Sequence, residues 1–507
     1  MKHLTLIILL LAMGQFGFSA SLVDEGLKAY KVKNYKQAAL LFYKASYGSN
    51  NADKLKIPAK YYLGLTLNKL KLYQVALFPL VAASQSDNLI VSKKAFEQIV
   101  KASDALDDKS LLYYSLKKTH VEDLTEIGKE LFYNRFADMF LEEGKLDEAS
   151  AILEKSLAIN PDNEETLYLA GLINVKKNKP ENAIVYYEKL YKKYVDKPTT
   201  LRKKAEAVMA LARTNYAAKK YIEAIALYRE IPKDNDLYRQ AQAELTWSLF
   251  RVAQFRSALS VVQSLNTPYY ENFYNPESLL LRSLILLFVC QTEDLEKSIQ
   301  LFKKNYLSTL NVINIWNASN YSAVEHFVEV EQTLNQLKKI KNGNLPNFKG
   351  RLPFFLVRSI LEEPDVKGKI SYLNKLKLER KTLNAMFLAK DTVGFLKFGQ
   401  KVIDGRVKSV SNEIGQLIKF QLHQTEEELS EFASQYEFIN YEMLNLKKED
   451  AKKKANSVSS LDLADQVNKN DKRDFYIQNG YQYYPFQGEF WRDEIGNYQY
   501  IGVNRCE

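Results

Sequence analysis

Histidine and cysteine are almost missing from this chain. It has four His and two Cys in 507 residues. His120, His326 and His423 each stand alone on a helical pattern with no second ligand at metal spacing, so the sequence predicts no metal site. Cys290 and Cys506 have no Cys or His nearby in sequence. Nothing in their spacing fixes a distance, so two separate thiols are the expected state and a single disulfide is the alternative. Glycine (19) and proline (12) are scarce, which favours long helices over many turns. The catalytic signatures H-E-x-x-H, G-x-S-x-G, G-x-x-x-x-G-K-[ST] and G-x-G-x-x-G after a strand do not occur. No catalytic residue, cofactor or metal ligand is therefore assigned, and the chain is expected not to be an enzyme.

Long apolar runs are also lacking after the first residues. Residues 1–19 pair a short basic start (Lys2, His3) with "LTLIILLLAMGQFGF" and small residues, the pattern of a secretory signal. Cleavage after Ser19 is expected. Beyond it, "LLLRSLILLFVC" is interrupted by Arg282 and too short to span a bilayer. The mature chain is thus expected to be exported and soluble, periplasmic or associated with the outer membrane. Its net charge is +10 with a pI near 9.0. Acids are interspersed with the bases and no Arg-rich run or basic–aromatic module stands out. No nucleic-acid partner is expected, and membrane contact only indirectly.

The length exceeds a single compact core, and the first part of the chain shows how it is subdivided. In "EEGKLDEASAILEKSLAINPDN", residues 142–163, Gly144 ends one helix, an amphipathic helix follows, and Asn-Pro breaks it. Tyr133, Phe136, Ala137 and Phe140 keep helical spacing before it. Two antiparallel helices in 34 residues are implied, and the unit resembles the tetratricopeptide repeat: Ala137, Gly144, Leu146, Ala149, Leu153, Ser156 and Pro161 occupy its pattern positions. The next unit starts at Glu164 with Leu167, Ala170, Gly171, Asn178, Pro180, Ala183 and Tyr187. Others carry Ala212, Tyr221, Ala224 and Tyr228, then Leu245, Phe255, Ala258 and Val262. Two earlier ones carry Gly26, Tyr35, Ala38 and Phe42, then Gly64, Tyr73, Ala76 and Leu80; a weaker one lies at 279–312. Repetition at one period makes the resemblance specific. Residues 91–129 read as a degenerate helical pair.

The resemblance implies a solenoid over 20–312, in which each unit's apolar face is covered by its neighbour and the first helix of each pair lines a concave groove. By the repeat's positional rule that groove would present Asn134, Asp138, Tyr168, Lys176, Arg213, Tyr216, Trp247 and Arg251. Aromatic rings mixed with guanidinium groups suit an extended peptide or an acidic tail. The alternative is that Trp247 and Tyr216 only fill gaps between repeats.

The period is lost from about 313. "NGNLPNFKGRLPF", 342–354, reads as a joint, and a helical region follows to 455 with breaks near Gly394 and Gly405. Within it Ile418, Leu422, Thr425, Leu429, Phe432, Tyr436, Ile439, Met443 and Leu446 form a heptad seam. Its expected partner is the stretch around 371–404, folded back as a hairpin; a homodimer through 418–446 is the alternative. A polar linker, 456–474, leads to an aromatic tail, 475–507. There Tyr481, Tyr483 and Phe490, then Tyr498 and Tyr500 across "EIGN", predict a β-hairpin. Phe486, Phe490, Trp491 and Arg492 would be its docking side chains, on its own helices or on a partner. The tail "GEFWRDEIGNYQY" resembles the ends of envelope tetratricopeptide proteins tied to gliding motility in myxobacteria and their relatives.

The expected fold is therefore all-α: a tetratricopeptide-like solenoid, an irregular helical and coiled-coil region, and a short hairpin-like tail. The function implied by the resemblance is a non-catalytic protein–protein interaction scaffold in a bacterial envelope complex of secretion, outer-membrane or motility machinery. Two alternatives are a cell-wall glycan hydrolase using Glu489, Asp493 or Glu494 and a binder of anionic polymers.

Overall fold

The computed structural model describes residues 19–48, 53–117, 121–195, 201–270, 272–337, 350–389, 392–457, 495–500 and 506. Residues 1–18 of the expected signal, residues 342–349 of the expected joint, and 458–494 of the linker and tail lie outside them. Among the described residues every regular element is a helix. The helices come in consecutive pairs: α1 (Ser19–Lys31) and α2 (Tyr35–Tyr47), α3 (Asp53–Lys69) and α4 (Tyr73–Ser84), α5 (Leu89–Leu106) and α6 (Ser110–Leu116), α7 (Glu126–Glu142) and α8 (Leu146–Ile159). Then come α9 (Glu164–Lys176) and α10 (Pro180–Val195), α11 (Leu201–Ala217) and α12 (Tyr221–Arg229), α13 (Tyr238–Arg251) and α14 (Phe255–Leu265), α15 (Pro276–Phe288) and α16 (Thr292–Phe302). After a π-helical turn, Lys303–Leu307, follow α17 (Ser308–Ala318), α18 (Ala323–Leu337), α19 (Phe354–Glu362), α20 (Pro364–Met386) and α21 (Val393–Ser457).

One backbone device joins each of the first eight pairs. Lys33, Lys71, Asp107, Gly144, Asn178, Lys219, Ala253 and Cys290 all adopt the left-handed conformation, with φ from 52° to 75°. The next residue's N–H commonly reaches back to close the first helix of the pair. Asn34 N bonds Ala29 O, Leu72 N bonds Leu67 O, Gln254 N bonds Leu249 O and Gln291 N bonds Leu286 O, all at 2.9 Å. This is the Schellman closure, which satisfies carbonyls that the helix end leaves open. Asp107 shows that 91–129 keeps the same turn as the clear repeats while its second helix is short. Asn320, φ 49°, takes the same conformation between α17 and α18.

Two compact units emerge: one comprises residues up to Asn178, Ser322–Val328 and Glu362–Ile418, the other Lys179–Tyr321, Glu329–Leu361 and the chain from Lys419. In the first unit the paired helices approach closely where the repeat pattern has small residues. A Cβ placed on Gly26 would lie 2.6 Å from the Phe42 ring, so a larger residue would pry α1 from α2. The apolar interior of this unit contains Phe42, Leu63, Leu67, Leu80 and Phe96.

In the same unit α20 runs along the row of intra-pair turns. Beside the first turn, Lys36 lies 5.8 Å above the ring of Phe387, which follows α20. At the second, the Glu379 carboxylate accepts the N–H groups of Gln74 (3.0 Å) and Val75 (3.1 Å), and Tyr372 Oη donates to Gln74 Oε1 at 2.6 Å. At the third, Lys375 meets Asp107 at 2.9 Å, and Arg406 of α21 meets Asp108 at 3.1 Å. The stretch 371–404 does form a hairpin, but it closes on itself: Arg380 pairs with Asp404 at 2.7 Å and Gln400 with Asn384 at 2.9 Å. α20 ends at Met386 and α21 begins at Val393, so neither Gly394 nor Gly405 marks the break; both are helical within α21.

In the second unit the heptad seam meets α15 and α16 instead of 371–404. The Tyr436 ring stacks on Phe302 with centroids 3.9 Å apart, and its hydroxyl stands 3.2 Å from Ser283 Oγ. Tyr274 donates to Glu428 at 2.8 Å and Lys447 pairs with Glu296 at 2.6 Å. Leu422, Leu429, Ile439 and Met443 are buried within one chain. A seam with bulky Tyr436 at its centre fits the Ser283–Ser298 notch, where small side chains leave room for a ring.

The described part of the tail belongs to this unit too. Ile495–Asn497 make the turn expected from "EIGN", with Gly496 at φ 83°. Tyr498–Tyr500 are not a strand; they are held by side chains rather than by a ladder. Gly496 N donates to Ser264 Oγ and Tyr500 N to Ser260 Oγ, each at 2.8 Å. The two cysteines, expected to be separate, are joined as a Cys290–Cys506 disulfide. Sequence distance concealed this, because the tail returns to the α15–α16 turn across 216 residues. Phe486, Phe490, Trp491 and Arg492 lie outside the described residues, as do Glu489, Asp493 and Glu494.

Candidate interaction face

In the second unit α13 packs beside both α11 and α15, each the first helix of its pair. A strip of polar side chains crosses these three helices. Arg213 forks onto Glu244, with Nε 2.9 Å from Oε2 and Nη2 2.7 Å from Oε1. Tyr228 Oη donates to the same carboxylate at 3.0 Å. Trp247 Nε1 donates to Glu277 Oε1 at 2.9 Å, and Arg251 Nε to Tyr216 Oη at 3.2 Å. Planar bidentate pairs of this kind fix side-chain direction as well as charge.

Electrostatics follow from this layout. Burial raises the Glu277 carboxyl pKa above its usual range, the Trp247 hydrogen bond opposes that shift, and the charge of Glu244 adds to it. Tyr228 is pushed above the ordinary phenol range by burial first and then by Glu244. Arg213 and Arg251 remain exposed. The strip thus offers two guanidinium groups, an indole face and a phenol: Glu244 holds Arg213, Glu277 holds Trp247, and Arg251 and Tyr216 hold each other. It can accept a partner's acidic or aromatic groups; it holds no arrangement of nucleophile, base and orienting group.

The four predicted residues of this unit, Arg213, Tyr216, Trp247 and Arg251, are brought together. The predicted residues of the first unit are arranged differently. Asn134 is only 1% exposed and its side-chain oxygen accepts from Ser156 at 2.7 Å and Thr166 at 2.9 Å. It therefore knits α7 to α8 and α9 and does not line a surface; a short amide between two hydroxyls is satisfied inside the repeat. Asp138 is engaged by Lys109 and by Tyr113 at 3.1 Å. Tyr168 and Lys176 are exposed on α9. Two organising residues were missed, Glu244 and Glu277. Their signal is periodic: each lies about one repeat less one helical turn beyond the residue it holds, Arg213 or Trp247.

Among the described residues no group of His, Cys, Asp and Glu could hold a metal ion, and no helix is long and apolar enough to cross a membrane.

No protein-family model and no curated protein matches the chain. Among solved structures it is similar to a tetratricopeptide repeat protein from Parabacteroides merdae, at 14% identity, covering 56% of this chain and 92% of that one, with a TM-score of 0.26. It is similar also to a thermophilic TPR protein of Thermus thermophilus, at 19% identity over 45% of this chain and 99% of that one, TM-score 0.19. A third is the TPR2AB domain of yeast Sti1 solved with pHSP90, at 18% identity over 56% and 97%, TM-score 0.21. The resemblance rests on the chain's own features: the recurring small and aromatic positions, the helix pairs they form, and the left-handed turn inside each pair. By these the fold is similar to that of tetratricopeptide-repeat proteins.

Proposed function

We propose that the chain is a non-catalytic protein–protein interaction scaffold whose contact face in the second unit is the α11–α13–α15 strip. The observation that carries this is that Arg213, Tyr216, Trp247 and Arg251, from successive repeats, are each held by a side chain of the next repeat's first helix or of the preceding one: Arg213 by Glu244, Trp247 by Glu277, and Arg251 and Tyr216 by each other. Aromatic and arginine side chains of this kind dominate the energetics of protein recognition. The proposed setting is an envelope complex of secretion, outer-membrane or motility machinery. Two features support it: the signal-like start of the sequence, and a disulfide, a bond that persists in oxidising compartments.

The test is a crosslinking pull-down from envelope extract. The wild-type chain is expected to recover a defined partner, and the pair Trp247→Ala with Arg251→Ala to lose most of it. Recovery of nothing above background, or full recovery by the double variant, would overturn the reading. Muralytic activity of the wild-type chain, lost on Glu489→Gln or Glu494→Gln, would favour the hydrolase instead.

A further inference from the structure

A second surface in the same unit is built for a different kind of contact. At the turn between α13 and α14, Phe250 and Phe255 lie 5.8 Å apart, and both meet Phe288 of the next turn, at 5.6 and 5.7 Å. Phe288 is 56% exposed, and Ile222 on the preceding turn 59%. Tyr216 and Tyr221 repeat the Phe250–Phe255 pair one unit earlier, edge to face at 5.3 Å. A row of half-buried rings therefore runs along the turn edge, with Phe288 exposed where a monomer normally hides aromatic area. Lys219, Lys220, Arg251 and Arg256 are exposed along the same edge, against the exposed acids Glu223 and Glu293.

The first unit shows what such an edge accepts. There the row of turns is crossed by a helix, α20, whose sequence is basic, with Lys367, Lys369, Lys375, Lys377, Arg380 and Lys381 against Asp365 and Glu379. The third turn it crosses supplies the acids Asp107 and Asp108, whereas the first two carry Lys33, Lys36 and Lys71. The ring contacts there come from the next helix: Phe395 and Phe398 of α21 each lie 5.3 Å from Tyr43 of α2. The α4 N-terminus has no side-chain cap of its own, and Glu379 of the crossing segment supplies one. On the second unit the edge carries rings and an excess of exposed basic groups. Its helices α12, α14 and α16 likewise begin without a side-chain cap.

We propose that the turn edge of the second unit, centred on Phe250, Phe255 and Phe288, docks an acidic amphipathic helix of a partner protein. Leucine or aromatic side chains of that helix cover the three rings. Its carboxylates meet Lys220 and Arg256 and the open N–H groups at the head of α14, as Glu379 meets α4. The edge adjoins the α11–α13–α15 strip through the Trp247–Phe250 contact, 6.0 Å between centroids, and it stands without that reading.

The probe is a labelled synthetic helix of about 18 residues, long enough to hold helix in water, with Leu and Phe on one face and Glu on the other. Its anisotropy is followed as the full chain is added. Binding is expected to fall at least about tenfold, or about 1.4 kcal/mol, when Phe255 and Phe288 both become Ala. It should also fall on Lys220→Glu with Arg256→Glu, and a matched peptide carrying Lys in place of Glu should not compete. Circular dichroism of each variant checks that the repeats remain folded. No binding by the acidic probe, equal binding of the two peptides, or unchanged affinity after Phe255→Ala with Phe288→Ala would overturn the proposal. So would a self-associated dimer abolished by those same substitutions. The envelope pull-down turns on Trp247 and Arg251, and the peptide titration on Phe255, Phe288, Lys220 and Arg256, so either can fail alone.

Discussion

Glu379 caps a helix to which it does not belong. Its carboxylate accepts the N–H groups of Gln74 and Val75 across 305 and 304 residues of sequence. It does so at the first turn of α4, whose own N-cap position, Leu72, offers no acceptor. The helix N-terminus favours a negative charge there, yet burial outweighs the backbone hydrogen bonds and pushes the carboxyl up to about 7.

Stability should therefore fall with rising pH in a defined window. The folded form binds this proton more tightly than the unfolded chain does, so the contribution is complete below the ordinary carboxyl value near 4.5. It is lost as pH rises through about 7. The loss is on the order of 3 kcal/mol. Glu379→Gln, which keeps an acceptor and cannot ionise, is expected to flatten this slope in urea unfolding followed from pH 4.5 to 8. Parallel curves for variant and wild type would show that Glu379 does not titrate across folding.

The left-handed turn residues provide a backbone test. An L-residue in that region costs on the order of 1 kcal/mol that glycine does not. Ala253 at φ 57° and Lys219 at φ 63° are both exposed, so Ala253→Gly and Lys219→Gly should each stabilise the second unit by about 1 kcal/mol. Gly144 is the control: at φ 75°, with nothing within 4 Å of an added Cβ, Gly144→Ala should destabilise by a similar amount through the backbone alone. Equilibrium denaturation of the three variants measures this. Equal stability of all three with wild type would remove the turn conformation as an energetic factor.

The Cys290–Cys506 bond predicts a redox-dependent melting point. Closing a loop of 216 residues restricts the unfolded chain by about 5 kcal/mol at most in the chain-entropy treatment. Calorimetry with and without a phosphine reductant should show a lower transition when reduced. The Cys290→Ser, Cys506→Ser double variant should melt near that lower temperature in both conditions. Alkylation of the unfolded, unreduced protein by iodoacetamide should add no mass, and two adducts should appear only after reduction.

How far the fold could be read ahead differs by feature, and for physical reasons. Gly26, Gly64 and Ala137 announce helix packing because size alone decides there. The turns were less visible, since only Gly144 among the first eight is glycine; Asn178 and Asp107 are types that tolerate a positive φ, and Lys33, Lys71, Lys219, Ala253 and Cys290 adopt it under the pull of the helices on either side. Asp107 was obscured in this way, and with it the shared turn of a pair whose second helix is short. Heptad spacing identified the buried face of α21 but not its receiver, because periodicity records burial and is silent about what covers it. Arg213, Tyr216, Trp247 and Arg251 follow from repeat position, whereas Asn134 obeyed the same rule and turned inward to meet two hydroxyls. Glu379 sits in a basic helix with nothing to mark it; only contacts hundreds of residues away give it a role.

The sulfur bridge also alters what a protease could achieve. A single cut at any peptide bond between Cys290 and Cys506 leaves both products tied through the α15–α16 turn, so severing the backbone does not shed the C-terminal piece. Detachment requires a second cut or a reductant, and on a non-reducing gel the nicked chain migrates as one species.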